Sequence, residues 1–251
     1  MFIHRPDPIH QVRVDTPDPV FAEKLLEQFG GATGELSAAL TYFTQSFHTE
    51  DQGIRDMLQN IATEEFGHLE MVALMIEQHT KRAKQGAQEK AFNSTLFAVR
   101  GYGPHLVDSQ GSTWDSRYVN EGASVVRDLR ADIAAEAGAL ATYEALIGLS
   151  QDEGSREALR HLATREVAHA RMFMKALEAM NKLDDPIFGD LKPDDTVDVY
   201  FNLTAGPEAE RRGPWNSEPE FHIRDLVPQA AQQGGGGKGA EQRVRHSPPK
   251  K

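Results

Sequence analysis

A glutamate followed three residues later by a histidine occurs twice in this chain, in similar surroundings. Glu65 and His68 lie in the stretch ATEEFGHLEM, and Glu166 and His169 lie 101 residues later in ATREVAHARM. Residues at i and i+3 share a face of a helix, so each pair would present a carboxylate and an imidazole together. One such pair is common on ordinary helices. Two pairs in the same register indicate a site for divalent metal ions.

The repeat extends upstream of both motifs. A glutamate precedes each Glu-x-x-His motif by 30 residues and is followed by a tyrosine seven residues later, as Glu35 with Tyr42 and Glu136 with Tyr143. A glutamate from each of two helices and Glu-x-x-His from each of two others is the arrangement of di-iron and di-manganese carboxylate proteins. The spacing therefore predicts a dinuclear metal centre.

Apolar residues at helical spacing predict four helices, over about residues 19–48, 52–83, 122–149 and 153–180. The first is predicted to continue through Gly31 and Gly34. Short turns near residues 50 and 151 and one long connection between helices 2 and 3 predict an all-α, ferritin-like four-helix bundle. These reversals would set Glu35 opposite Glu65, and Glu136 opposite Glu166, with both pairs at mid-helix. An extended arm precedes the bundle and another follows it.

We predict that residues 1–180 form the N-terminal arm and bundle, 181–228 an extended C-terminal arm, and 229–251 a Gly-rich basic tail. The 251-residue chain has no cysteine, which excludes disulfides and thiolate chemistry. Its net charge of −11 argues against binding nucleic acid. We find no apolar run long enough for a membrane span and no apolar core of a signal peptide. We therefore expect a cytoplasmic protein without nucleic-acid or membrane partners.

Four carboxylates and two imidazoles in a bundle core would be costly unless neutralised. Two divalent cations balance four carboxylates when both histidines are neutral. Glu64, Glu70 and Arg165 are expected to face away or to cover the surface. From the residues alone, four reactions stay open: hydrogen peroxide disproportionation, ferrous oxidation, peroxide reduction and O2 activation.

Residues 1–228 resemble the non-haem manganese catalases. The features that carry the resemblance are the extended N-terminal arm, the metal motifs, and the arm with VYFNLT at residues 199–204 and GPW at 213–215. The resemblance implies hydrogen peroxide as substrate, two manganese ions per subunit and no haem. One peroxide would oxidise the metal pair and leave as water, and a second would reduce it and leave as O2.

The resemblance also implies roles for individual residues. Five would be metal ligands: Glu35, Glu65, His68, Glu136 and His169. Glu35 would bridge the metals, and Tyr42 would hydrogen-bond to it. Glu166 would transfer protons as a general acid/base, although internal symmetry alone would make it a sixth ligand. Some members have an arginine where this chain has Ala135, which would change the access to the site and its charge.

Further expectations concern calcium and assembly. Some relatives hold a structural calcium, and the matching positions here are Asp56, Asn60, Asn202, Thr204 and Gly206. Family members form homo-hexamers, and the extended arms agree with that. Two alternatives stay open: a ferritin-like di-iron ferroxidase or peroxidase, and a catalytically silent bundle that uses metal only for folding. A rubrerythrin-like peroxidase would need an electron-delivery centre, commonly a cysteine-bound iron, and this chain has no cysteine.

Overall fold

The structure, a computed structural model, describes residues 5–81, 86, 99–100, 103–204, 213–226 and 244–245. Five α-helices lie in these ranges: α1 Pro19–Gly30, α2 Glu35–Gln45, α3 Gln52–Lys81, α4 Val125–Leu149 and α5 Glu153–Ala179. The strands are β1 Val99–Arg100, β2 Gly103–Pro104, β3 Val199–Asn202, β4 His222–Asp225 and β5 Val244–Arg245.

Two helical hairpins form the bundle, as predicted. α2 and α3 reverse through residues 46–51, and α4 and α5 reverse through residues 150–152. An aspartate precedes the second helix of each hairpin. Asp51 Oδ1 accepts a hydrogen bond from the backbone N–H of Gly53 at 2.8 Å, and Asp152 Oδ2 accepts one from Ser155 N–H at 2.8 Å. These caps satisfy N–H groups that have no partner inside the helix and fix where α3 and α5 begin.

The first predicted helix is interrupted, which corrects the position of one candidate ligand. α1 ends at Gly30, and α2 begins at Glu35 after Gly34 at the N-cap. A Cβ atom at Gly34 would lie 2.8 Å from the carbonyl oxygens of Glu27 and Gln28, so this close approach requires glycine. Glu35 is therefore the first residue of a helix and not a mid-helix residue. The N-terminal end of a helix dipole favours a carboxylate at that place.

The described part of the long connection packs along α2. Trp114 Nε1 donates to Ser37 Oγ at 3.0 Å, and the backbone N–H of Asn120 donates to Thr41 Oγ1 at 3.3 Å. The chain thus returns beside α2 before α4 begins. The crossover predicted between the two hairpins is confirmed.

The segment before α1 is extended and is tied to two helices. Backbone N–H groups of Asp15 and Thr16 donate to Asp152 Oδ1 at 2.8 and 2.6 Å. The N–H of Asp18 donates to His79 Nδ1 at 2.9 Å. These bonds fasten the N-terminal arm to the start of α5 and to the end of α3.

Two apolar clusters fill the bundle, one on each side of the candidate site. Along α3, Leu58 and Ile61 belong to one cluster, and Met71 and Val72 belong to the other. Glu65 lies between these two sets of positions. Each cluster removes apolar surface from water, so together they surround the polar residues of the site with a dry environment.

The described residues divide into two compact units, one within residues 1–189 and one within residues 190–251. Within the second unit β3 pairs in parallel with β4, and β4 pairs antiparallel with β5. The strand indicated by alternation at residues 199–204 is present as β3. The predicted domain boundaries at residues 180 and 228 stay predictions. Among the described residues, no helix is both long and apolar enough to cross a membrane.

Candidate metal centre

Six predicted residues converge between the two apolar clusters. None has more than 2% of its surface exposed: Glu35, Glu65, His68, Glu136, Glu166 and His169. Their ligand atoms form two groups, each within 4.8 Å: Glu35, Glu65, His68 and Glu166, and Glu65, Glu136, Glu166 and His169. The structure thus brings together the residues that the repeat selects, and each hairpin contributes its facing pair of glutamates.

Glu65 occupies the centre of this arrangement. Its Oε2 lies 2.7 Å from His68 Nδ1, and its Oε1 lies 2.9 Å from His169 Nδ1. Glu35 Oε2 lies 3.6 Å from His68 Nδ1, and Glu35 belongs to one group only. The geometry therefore favours Glu65 over Glu35 as the carboxylate shared by the two histidines, and which glutamate bridges the metals stays a prediction.

Each tyrosine of the repeat holds the glutamate of the other half. Tyr42 donates its hydroxyl to Glu136 Oε1 at 2.7 Å, and Tyr143 donates to Glu35. The predicted bond between Tyr42 and Glu35 is wrong. Seven residues of one helix span about 10 Å, so the two side chains start far apart. Because α2 and α4 run antiparallel, each tyrosine meets the glutamate of the opposite helix.

Burial dominates the ionisation of the outer carboxyl groups. It raises the pKa of Glu35, Glu136 and Glu166 well above the ordinary value, and neighbouring carboxylates raise it further. Burial opposes the ionisation of Glu65 as well, but hydrogen bonds from His169 and His68 outweigh it and lower the pKa of Glu65 to about 2. Burial therefore favours the neutral form of the three outer carboxyl groups, whereas Glu65 is ionised, and a bound cation would shift the outer groups toward their ionised form.

Neighbouring carboxyl groups, Glu64 among them, favour the protonated form of both histidines. Burial lowers the pKa of His169, but hydrogen bonds to Glu64 and Glu65 overcome that effect and raise it to about 9. The pKa of His68 is raised well above its usual range against the same opposing effect of burial, mainly by hydrogen bonds to Glu35 and Glu64. Metal binding requires neutral imidazole, so it would release these protons.

The donor set fits two divalent cations. Both histidines direct Nδ1 toward the carboxylates, where a metal ligand must point. Glu136 Oε2 is buried and has no hydrogen-bond partner among the described residues. An unpartnered buried oxygen is costly, and a cation bound by the group that contains Glu136 and His169 would satisfy it. Carboxylate and imidazole ligands suit manganese and iron alike.

Glu64 and Arg165 belong to the site, against expectation. Glu64 lies on the Nε2 side of both histidines, 3.5 Å from His68 Nε2 and 3.2 Å from His169 Nε2. Arg165 Nε donates to Glu64 Oε1 at 2.6 Å. The signal in the sequence was available, because Glu64 and His68 are four residues apart and share a helix face.

The positions expected to bind calcium lie in two parts of the chain. Asn60 Nδ2 donates to Asp56 Oδ2 at 3.1 Å on the exposed face of α3. Asn202 Nδ2 donates to Asp225 Oδ1 at 2.9 Å, and Asn202 Oδ1 accepts from Thr204 N–H at 3.1 Å. Gly206 lies outside the described residues. The calcium site stays a prediction.

Comparisons with known proteins agree with this chemistry. The family described as manganese containing catalase matches residues 1–250. A solved structure of KatB, a manganese catalase from Anabaena, is 58% identical and superposes with a TM-score of 0.80, covering 89% of this chain and 98% of that chain. The match bears out the ferritin-like bundle.

Curated relatives point the same way. A probable manganese catalase of Clostridium acetobutylicum is 34% identical, covering 84% of this chain and 92% of that protein. A manganese catalase of Bacillus subtilis is 30% identical, covering 92% of this chain and 91% of that protein. The chain therefore belongs to the manganese-containing catalase family.

Proposed function

We propose that this protein is a manganese catalase that converts hydrogen peroxide into water and O2 at a centre of two manganese ions per subunit. Family membership supports the reaction. The observation that carries the assignment to particular residues is the central carboxylate of Glu65, which contacts one histidine of each repeat. Glu35 and His68 would complete one metal position, and Glu136 and His169 the other.

The bound manganese pair supplies the chemistry of accepting and returning two electrons. Cleavage of one peroxide to two waters consumes two protons, and oxidation of the next peroxide to O2 releases two. The site therefore needs a group that holds protons between the half-reactions. We assign this role to Glu166, which is buried beside both metal positions and keeps one oxygen without a hydrogen-bond partner among the described residues.

The tyrosines and the apolar clusters have positioning roles. Tyr42 and Tyr143 each donate to one outer glutamate and so orient it toward its metal position. Hydrogen bonds from neutral donors to a carboxylate strengthen in a dry environment. The apolar residues on both sides exclude water, which keeps proton transfer within the groups of the site.

The main alternative is a di-iron ferroxidase or peroxidase. The ligands suit both metals, and metal supply contributes to the choice in the cell. Membership in the manganese catalase family favours manganese and peroxide disproportionation. A silent structural bundle is disfavoured because apolar residues would fill such a core at lower cost than six buried polar ones.

The test is O2 release from hydrogen peroxide, followed with an oxygen electrode on protein produced with added manganese. We expect one O2 per two peroxides, no haem absorbance, and two manganese ions per subunit. Glu65→Ala should abolish the release, and Glu157→Ala, exposed on α5, serves as the matched control. Peroxide consumption without O2 would indicate a peroxidase. No reaction at full manganese occupancy would exclude the catalase.

The hexamer and the calcium site are proposals from the resemblance, and the location and the absence of nucleic-acid and membrane partners are proposals from the sequence. We propose a cytoplasmic homo-hexamer without a nucleic-acid or membrane partner. Light scattering coupled to size-exclusion chromatography measures the mass of the assembly. Elemental analysis after extensive dialysis against metal-free buffer decides whether calcium stays bound together with manganese.

A further inference from the structure

We propose that Glu64 is a shared positioning residue for both histidine ligands and that Arg165 holds it in place. The inference rests on the proposed function, since it concerns the residues assigned there as ligands. The Nδ1 atoms of His68 and His169 face the metal positions, and the Nε2 atoms of both face the single carboxylate of Glu64. One side chain thus lies behind both imidazoles.

The two oxygens of Glu64 are divided between the two histidines. Oε1 lies 3.5 Å from His68 Nε2, and Oε2 lies 3.2 Å from His169 Nε2. The guanidinium of Arg165 completes the arrangement, with Nε 2.6 Å from Oε1 and an η nitrogen 3.4 Å from Oε2. Four nitrogens therefore lie within 3.5 Å of one carboxylate, and each oxygen has one imidazole nitrogen and one guanidinium nitrogen beside it.

This arrangement selects the tautomer that binds metal. A neutral imidazole carries its proton on either nitrogen, and only the Nε2–H form leaves Nδ1 free for a metal ion. A carboxylate behind Nε2 favours that form and orients the ring. Glu64 does this for both rings at once. A glutamine could not, because its amide nitrogen would face one of the imidazole donors.

The internal repeat explains why one residue can serve both sites. Glu64 and Arg165 are 101 residues apart, the same offset that relates Glu65 to Glu166, so they occupy equivalent positions in the two halves. Equivalent residues that meet lie close to the axis relating the halves, where a side chain is near both histidines. Two glutamates would repel each other there. A glutamate with an arginine forms a neutral, forked pair that adds no net charge beside the metals.

The experiment measures manganese affinity by competition with a chelator in wild type, Glu64→Gln, Glu64→Asp and Arg165→Leu. We expect Glu64→Gln to weaken binding by about 10- to 100-fold, the usual effect of removing a partner of a histidine ligand. Glu64→Asp keeps two acceptor oxygens and should recover part of this loss. Arg165→Leu should weaken binding less than Glu64→Gln.

A second ion pair on α5 provides the matched control. Glu153 and Arg160 lie 2.7 Å apart on an exposed surface, so Glu153→Gln makes the same chemical change away from the site. The thermal unfolding midpoint of each metal-free variant and the electron paramagnetic resonance spectrum of each manganese-loaded variant are recorded as well. A positioning role predicts an altered spectrum for Glu64→Gln with an unfolding midpoint close to that of wild type.

The outcomes separate this inference from the proposed function. Wild type that fails to bind two manganese ions would overturn the ligand assignment itself. Wild type that binds them, with unchanged affinity and spectrum in Glu64→Gln, would overturn the role of Glu64 alone. An affinity loss that Glu153→Gln reproduces, or that follows a fall in the unfolding midpoint, would also overturn it.

Discussion

Replacement of Glu166 by glutamine distinguishes a proton-transfer group from a sixth metal ligand. Glutamine keeps the size of the side chain but cannot ionise. Glu65 contacts both histidines, and Glu35 and Glu136 each accept a tyrosine hydroxyl. Glu166 keeps its Oε1 without a hydrogen-bond partner among the described residues, 3.7 Å from His68 Nδ1. Among the outer glutamates, Glu166 is thus the one that accepts no tyrosine hydroxyl from the described residues, which favours a role in moving protons.

The expected loss follows from what proton transfer contributes. A positioned general acid or base accelerates a reaction by about 10²- to 10⁴-fold. This corresponds to about 3 to 5 kcal/mol in the activation barrier, at 1.36 kcal/mol for each factor of ten. Glu166→Gln should lose turnover on this scale while keeping two manganese ions per subunit, because the five assigned ligands are unchanged.

Two measurements on the same sample check the prediction. Initial rates of O2 release give turnover, and mass spectrometry of the metals gives manganese per subunit. Glu157→Gln, on the exposed face of the same helix, controls for the loss of one carboxylate. Loss of manganese in proportion to activity would make Glu166 a ligand. Full activity with full manganese would refute the proton-transfer role.

Three further predictions concern groups around the site. Tyr143→Phe removes the donor to a buried carboxylate and should lower manganese affinity by about 10-fold or more, measured by chelator competition; an unchanged affinity would contradict its positioning role. Asp132 is buried, which raises its pKa, and its Oδ1 accepts from Gln45 Nε2 at 2.8 Å. An acid whose pKa is raised in the folded protein destabilises the fold once the pH exceeds the pKa of that group in the unfolded chain. Asp132→Asn should therefore raise the urea midpoint at pH 7 and lose this advantage near pH 4. A lower midpoint at pH 7 would show that the ionised form is needed. Burial lowers the pKa of His79 from 6.5 to about 4. The neutral side chain therefore contributes fully to the stability of the fold above pH 6.5, and this contribution is lost as the pH falls toward 4. At pH 5 the loss is about 2 kcal/mol. Urea unfolding of wild type and His79→Gln at pH 7 and 5 measures the difference, and equal pH dependence in both would refute it.

Much of the site could be predicted because helical hairpins convert sequence spacing into distance. Glu35 and Glu65 are each about 15 residues from the turn between them, and the same holds for Glu136 and Glu166. A tight reversal therefore sets each pair face to face. No side-chain detail is needed for that result. The spacing of a repeat is enough to choose six buried residues.

Contacts between the two hairpins could not be predicted in the same way. The spacing in one helix gives the face on which Tyr42 lies, but not the residue that meets this face from α4. The packing of α2 against α4 pairs Tyr42 with Glu136. The two oxygens of Glu64 likewise become shared only when α3 and α5 bring both histidines to it. Such partners depend on the register between helices that are distant in the chain.

The repeat also conceals a difference between the two metal positions. By sequence, Glu35 and Glu136 are equivalent, since each precedes its Glu-x-x-His motif by 30 residues. In the fold, Glu35 opens a helix after the break at residues 31–34, whereas Glu136 lies in the interior of α4. The helix N-terminus stabilises the ionised form of Glu35, and Glu136 has no such support from its own helix. The two metal positions have the same ligand types but differ in their electrostatics. The cause is the break after Gly30, which makes Glu35 the first residue of α2.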